Sequence, residues 1–173
     1  MKKITIAILW TLFWLTLQST LFVDFPANSA RINIVFLSVI AIGFAYEFGE
    51  GFFTVFLISF ITDAASYPPF GIITLSYCLA FCMIRFATST IYSNSLIARF
   101  VWTTIVSMAT VWVEGALLAL ILKNPVFIFK ALLAFVPQAL LNGVLGLAVI
   151  PAFLWCLNIS WEKIFKKKGL VLD

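Results

Sequence analysis

Histidine is absent from this 173-residue chain, and charged residues make up only 10% of it. Without histidine, the imidazole group that commonly binds zinc or acts as a general base is missing. Soluble globular domains are about one quarter charged. The low charge therefore argues against an ordinary soluble domain, and the missing histidine excludes histidine-based metal and acid–base sites.

Cysteine is also scarce, with three copies at Cys78, Cys82 and Cys156. Cys78 and Cys82 lie one helical turn apart inside an apolar run, where free cysteines behave as small buried hydrophobic residues. A zinc site usually takes four nitrogen or sulfur ligands, and a third thiol is not close in the sequence. We therefore expect neither a metal nor another cofactor.

The chain is instead dominated by apolar residues, which make up 64% of it and include 19 phenylalanines. Its mean hydropathy is +1.14. Soluble domains are about half apolar, and a chain of this length cannot hide a larger share from water. Lipid is then the natural solvent for most of the surface. The composition predicts an all-α integral membrane protein.

Breaker and charged residues divide the apolar sequence into six segments. The first follows Lys2 and Lys3 as a signal peptide would, but no small-residue cleavage site precedes Asp24, so we interpret it as a retained helix. The second and third could form one long helix, but two glutamates and two glycines between them favour a break. The predicted spans are 4–22, 33–46, 51–66, 70–92, 96–122 and 131–158, in a single six-helix membrane domain over 1–173 with a basic tail at 159–173.

Lysine and arginine are distributed unevenly between the two sides of this six-span arrangement. An even number of spans places both termini on one side, and eight of the eleven basic residues lie on or near that side. Only Arg31, Lys123 and Lys130 lie on the other side. The positive-inside rule then predicts that both termini are cytoplasmic. The net charge of +4 is therefore interpreted as a topology signal and not as a nucleic-acid-binding surface.

Six polar side chains interrupt the predicted spans, and all but one of them fall in the outer half of the bundle or near its midplane. Ionisable groups at such depth are costly and usually face a partner or a wet cavity. One interpretation is a docking or ligand pocket open to the outside. The other is that these groups only hold helices together or cap them. The six are Gln18, Asp63, Arg85, Glu114, Gln138 and Asn142, of which Arg85 is the exception.

Small residues also recur with helical spacing in the second segment. Ala41, Ala45 and Gly49 are each four residues apart. Such a ridge of small side chains lets a neighbouring helix approach closely. We predict a close helix contact at this ridge.

The sequence contains no recognisable catalytic constellation. It has no nucleophile elbow, no zinc-protease helix motif and no glycine-rich phosphate loop. Asp63 and Glu114 are acids on different helices, without a nucleophile or a metal ligand to assist them. We therefore predict that the protein is not an enzyme.

The order of three motifs resembles the rod shape-determining protein MreD family over nearly the whole chain. The first motif is the leucine-glutamine ending of the first segment at Gln18. The second runs from Glu50 to Asp63 and on to Pro69-Phe70-Gly71, where an aspartate ends one helix and a proline and a glycine open the next. The third is Pro137 followed by Asn142, with Pro151 further on.

Two positions depart from the pattern of the family. Ile32-Asn33 stands where the family usually begins its second helix with Pro-Asp. Ser59 stands where the family often has another glycine ahead of the aspartate. The resemblance therefore implies nothing about the roles of these positions.

The resemblance implies a non-enzymatic scaffold of the bacterial cell-elongation complex in the cytoplasmic membrane. Members of the family pair with MreC and link MreB filaments to RodA and its transpeptidase partner in peptidoglycan synthesis. Their fold resembles the six-helix substrate-binding subunits of energy-coupling-factor transporters. That likeness leaves open an alternative, a vitamin-type small-molecule binding subunit of a membrane transporter.

One hypothesis concerns the junction between the third and fourth segments. We expect Asp63, Pro69 and Gly71 to form the outer turn there, with Pro69 and Gly71 setting its backbone. This turn would shape the surface that meets the partner. The Ala41, Ala45 and Gly49 ridge would supply a second contact.

Overall fold

The computed structural model describes residues 2–21, 33–66, 69–90 and 96–157. Every regular element within these ranges is an α-helix, so the prediction of six helices in an all-α fold is confirmed. The predicted basic tail and the loop around Arg31 lie outside the described residues. The helices are α1 Lys2–Leu21, α2 Ile34–Ala45, α3 Phe48–Ala64, α4 Ile72–Thr90, α5 Leu96–Ile121 and α6 Val126–Cys156.

The break between the second and third segments is present, but it is much shorter than predicted. Only Tyr46 and Glu47 separate α2 from α3, and Tyr46 is extended, with φ −93° and ψ 156°. Helix α3 then begins at Phe48 and not at residue 51. Glu47 at the N-cap and Glu50 in the first turn place negative charge at the positive end of the helix dipole. The acidic residues that we expected in a turn therefore start the helix.

The sixth helix also begins earlier than predicted, at Val126 and not at residue 131. The side chain of Asn124 accepts a hydrogen bond of 3.0 Å from the backbone N–H of Val126. Pro125 precedes the first helical residue with φ −66°, a value suited to a helix start. Lys130, which we placed in the loop, lies inside the helix. Helix α6 continues through Pro137 and Pro151 for 31 residues.

The break at Tyr46 also overturns the predicted ridge of small residues. Ala41 and Ala45 belong to α2, whereas Gly49 belongs to α3. The three residues therefore do not lie along one helix face. A Cβ atom added at Gly49 would meet no atom of the described residues within 4 Å, so none of the described helices approaches closely there.

Helix α2 forms the centre of the bundle. All residues from Ile34 to Phe44 are buried, as expected for a helix that is apolar on every side. It packs against α1, α3, α4 and α6, while α5 packs against α6 and α4 and has little direct contact with α2. A hydrogen bond joins α1 to this central helix, because Trp10 Nε1 donates to Ser38 Oγ at 2.9 Å.

Two helices are long and apolar enough to cross a membrane by themselves, over Ile97–Ile121 and Val126–Cys156. Shorter apolar stretches cover Ile4–Gln18, Ile34–Ala45 and Ile72–Thr88. Large apolar side chains are exposed on several helices, and Leu133 and Trp155 on α6 are 80% and 81% exposed. The bundle therefore has a buried apolar centre, and its outer surface is also largely apolar.

Candidate functional site: the α3–α4 junction and a polar cavity

The α3–α4 junction is organised by the carboxylate of Asp63. Its Oδ2 accepts hydrogen bonds from the backbone N–H of Gly71 at 2.6 Å and from the backbone N–H of Thr74 at 3.2 Å. The hydroxyl of Thr74 donates a third at 2.8 Å. These donors lie at the start of α4, where backbone N–H groups lack helical partners. Asp63 therefore caps the next helix from the end of the previous one.

Gly71 allows the chain to enter α4 in this geometry. Its φ is +102°, a region that residues with a Cβ atom rarely adopt. The carbonyl of Pro69 accepts the N–H of Ile72 at 3.4 Å just before the helix. The structure thus brings Asp63, Pro69 and Gly71 together in one junction.

Asp63 itself is only 2% exposed. Its second oxygen, Oδ1, is buried and has no hydrogen-bond partner within the described ranges. A buried carboxylate is costly unless it is hydrogen-bonded. The three bonds to Oδ2 supply that compensation on one side of the group.

A second polar feature is a partly open cavity of about 260 Å³ between α2, α4, α5 and α6. It exists where α5 packs against α6 and α4 but not closely against α2. The lining comes from the start of α2, the first half of α4, the middle and second half of α5, and the first half and middle of α6. Tyr77 lies one helical turn after Thr74, which donates to Asp63, so the cavity lies near the α3–α4 junction. The lining residues are Asn33, Phe36, Tyr77, Ser107, Thr110, Val111, Glu114, Ala134, Gln138 and Asn142.

Asn33 and Tyr77 form one wall of the cavity. Asn33 caps α2, because its Oδ1 accepts the backbone N–H of Phe36 at 3.0 Å. Its Nδ2 donates a 2.7 Å hydrogen bond to the hydroxyl of Tyr77 on α4. The asparagine thus joins the start of the central helix to α4.

Polar contacts between α5 and α6 form the other wall. Asn142 Nδ2 donates a 2.7 Å hydrogen bond to Ser107 Oγ. Gln138 lies one turn before Asn142 on α6, and its Nε2 is 3.5 Å from Asn142 Oδ1. Gly143, next to Asn142, lets α5 approach, since a Cβ atom there would collide with Thr104 and Phe100.

Glu114 is the only charged residue among the described residues that line the cavity. Its side chain is half-buried and lines the cavity. Among the described residues it accepts no hydrogen bond. The negative charge of Asp63 also acts on Glu114. Among the described residues, the cavity therefore contains one acidic group, which has no hydrogen-bond partner, and no basic group.

The structure places Glu114, Gln138 and Asn142 together in this cavity, as members of the six predicted polar residues. Asp63 lies at the α3–α4 junction outside the cavity lining. Gln18, on α1, is half-buried and away from the cavity, and Arg85 is half-buried in the second half of α4. Pro137 lies on the exposed side of α6, so its ring does not line the cavity.

Sequence reasoning missed Asn33, Tyr77, Ser107 and Thr110. One signal was available, because Ser107, Thr110 and Glu114 are spaced three and four residues apart and so share one face of α5. Nothing local connects Asn33 with Tyr77, which are 44 positions apart. Within the part of the chain that the structure describes, no three potential metal ligands of the histidine, cysteine or carboxylate type lie together.

Comparisons with known proteins do not extend this description. The chain matches no protein-family profile, no curated protein and no solved structure.

Proposed function

We propose that the chain is a multi-pass protein of the bacterial cytoplasmic membrane that acts as a non-enzymatic scaffold of the cell-elongation complex. In this proposal it docks MreC and links MreB filaments to RodA and its transpeptidase partner, and so maintains cell shape. It works through helix–helix contact and performs no covalent chemistry. Both termini lie in the cytoplasm.

The observation that supports this proposal best is the Asp63 junction. The motif that resembles the central signature of the MreD family, from Glu50 to Gly71, coincides with a carboxylate that holds the start of α4 through three hydrogen bonds. A turn held in this way gives a rigid surface at one end of the bundle. Rigid elements suit a docking surface because little order has to be gained on binding.

The arrangement of the helices is consistent with six membrane spans. Helix α2 has 12 residues and is about 18 Å long, well short of a hydrocarbon core of about 30 Å. Because other helices surround α2, its own length does not have to match the lipid. The outer helices α5 and α6 are long and carry exposed apolar side chains, which suits contact with lipid.

Membrane topology can be tested by labelling single cysteines in whole cells, after replacement of the three native cysteines. Six spans predict that Asn124→Cys and Ala64→Cys react with an impermeant maleimide from outside. Gly49→Cys should react only after permeabilisation. If only α5 and α6 span the membrane, Asn124→Cys labels from outside but Ala64→Cys does not, and the six-span proposal is wrong.

The scaffold role can be tested by affinity purification from the native host in mild detergent, followed by mass spectrometry. We expect MreC and RodA to be recovered with the wild-type protein. Asp63→Ala should reduce the recovery of MreC and produce rounded cells, at a membrane abundance matched to the wild type by immunoblot. Glu50→Gln removes an exposed acid from α3 and is the matched control. Unchanged MreC recovery and unchanged rod shape in Asp63→Ala would contradict the proposed role of the junction.

The cavity favours a second candidate, a small-molecule binding subunit of a membrane transporter. Its walls carry polar side chains from four helices around about 260 Å³. This candidate predicts that the same purification recovers energy-coupling ATPases and a bound vitamin-type compound in place of MreC. Small-molecule mass spectrometry of the purified sample therefore separates the two functions.

A further inference from the structure

The α5 wall of the cavity presents hydrogen-bond acceptors. Thr110 and Glu114 are four residues apart and therefore lie on one face of α5, and both line the cavity. Thr110 donates its single hydroxyl hydrogen to the carbonyl of Val106 at 2.8 Å, so its oxygen can only accept a hydrogen bond from a ligand. Glu114, one turn later, adds a carboxyl group that is not hydrogen-bonded within the described ranges. A ligand group beside Thr110 and Glu114 therefore has to supply hydrogen-bond donors.

The charges around the cavity select the sign of the ligand. Among the described residues that line it there is no lysine or arginine, and Glu114 is the one charged group. Asp63 contributes a further negative charge from α3. Glu114 repels an anion, and a neutral ligand would leave its half-buried carboxylate without a counter-charge. A cation would balance the charge of Glu114 and would also be attracted by the negative charge of Asp63.

The opposite wall suits a compact apolar body. The rings of Phe36 and Tyr77 are 5.6 Å apart between centroids and tilted by 54°. Aromatic faces bind apolar groups and also attract cations. The volume of about 260 Å³ lies just below the range of about 300–1,000 Å³ that holds drug-sized ligands. The ligand must therefore be small.

We propose that the cavity binds a primary ammonium group on a small apolar body, with Glu114 as its counter-charge. An ammonium group has three donors and no acceptor, which matches the acceptors on Thr110 and Glu114. A free amine and the ethanolamine headgroup of a membrane lipid carry the same group. This inference rests on the cavity and not on MreC, so it can fail while the scaffold proposal stands.

The test uses two probes of the same shape, 2-phenylethylamine and 2-phenylethanol. The full chain is placed in nanodiscs of phosphatidylcholine, which has no primary ammonium group, and binding is measured by isothermal titration calorimetry. We expect the amine to bind at least about tenfold more tightly than the alcohol, as expected for a hydrogen bond to a charged group. Glu114→Gln should remove that preference and leave the weak binding of the alcohol unchanged.

Glu50→Gln, which removes an exposed acid distant in sequence from the cavity-lining residues, is the control and should bind the amine as the wild type does. Thr110→Val removes one acceptor and keeps Glu114. It should therefore weaken the binding of the amine, but the protein should still bind the amine more tightly than the alcohol. It also keeps the proposal testable if Glu114→Gln does not fold. Equal affinity for amine and alcohol in the wild type, or no binding of either, would overturn the proposal. An equal loss of affinity for the amine in Glu50→Gln and Glu114→Gln would also overturn the proposal.

The two sources of the ammonium group can be separated in nanodiscs that contain phosphatidylethanolamine. This lipid has the same net charge as phosphatidylcholine but carries a primary ammonium group. If the lipid headgroup is the natural ligand, the apparent affinity for 2-phenylethylamine falls in these discs, and native mass spectrometry detects the lipid on the wild type but not on Glu114→Gln. If a free amine is the ligand, the affinity is the same in both kinds of disc.

Discussion

Replacing Asp63 with alanine should destabilise the protein by about 2–4 kcal/mol. The change removes the acceptor for the N–H of Gly71, the N–H of Thr74 and the hydroxyl of Thr74. A hydrogen bond to a charged group contributes about 1.5–3 kcal/mol, but three such bonds do not add fully. Gly71 and Thr74 are half-buried, so water can replace part of what is lost. Alanine also removes the cost of burying a carboxylate.

The free energy of unfolding can be measured by titrating dodecylmaltoside micelles with sodium dodecyl sulfate and following the circular dichroism. Asp63→Asn keeps a neutral acceptor and should cost less, about 1–2 kcal/mol, because neutral hydrogen bonds are weaker than charged ones. Glu50→Gln removes an exposed charge from the first turn of α3 and should cost at most about 1 kcal/mol. If Asp63→Ala costs no more than Glu50→Gln, Asp63 does not hold the junction as described.

Four further substitutions can be measured by the same unfolding titration. Gly143→Ala should destabilise by about 1–3 kcal/mol, because the new Cβ collides with Thr104 and overpacks the α5–α6 contact. Gly49→Ala is its matched control in an open position and should be neutral or stabilising by up to about 1 kcal/mol; equal losses in both would contradict the packing argument. Gly71→Ala should cost about 1–2 kcal/mol because its φ of +102° is unfavourable for a residue with a Cβ atom, and an unchanged stability would refute this. Asn33→Ala should cost about 1–2 kcal/mol through loss of the α2 cap and of the hydrogen bond to Tyr77, and a cost no greater than that of Gly49→Ala would show that both are dispensable.

The helices and their order were predictable because their signals are local. Long apolar runs and the breakers between them mark each helix, and five of the six starts were placed within three residues of those observed. The start of α6 was not, because Lys130 looked like a loop residue although Asn124 and Pro125 provide a helix start before it. The ridge at Ala41 and Ala45 failed for a related reason, since the chain turns at Tyr46 before Gly49.

The polar groups of the candidate site were predictable only as types of residue. Apolar segments with a few buried acids and amides imply that those groups need partners or a cavity. The identity of the partners depends on how the helices pack. Glu114 and Asn142 both line the cavity because α5 and α6 pack together, whereas Gln18 lies elsewhere on α1.

The sequence alone thus determined an apolar, all-helical chain and the approximate position of most of its breaks, because hydrophobicity and capping act over a few residues. The tertiary structure decided that Asp63 caps α4 across the junction and that Asn33 meets Tyr77 across 44 positions. It also decided that a cavity forms where α5 does not pack closely against α2. These contacts depend on the relative placement of whole helices, which no local pattern in the chain specifies.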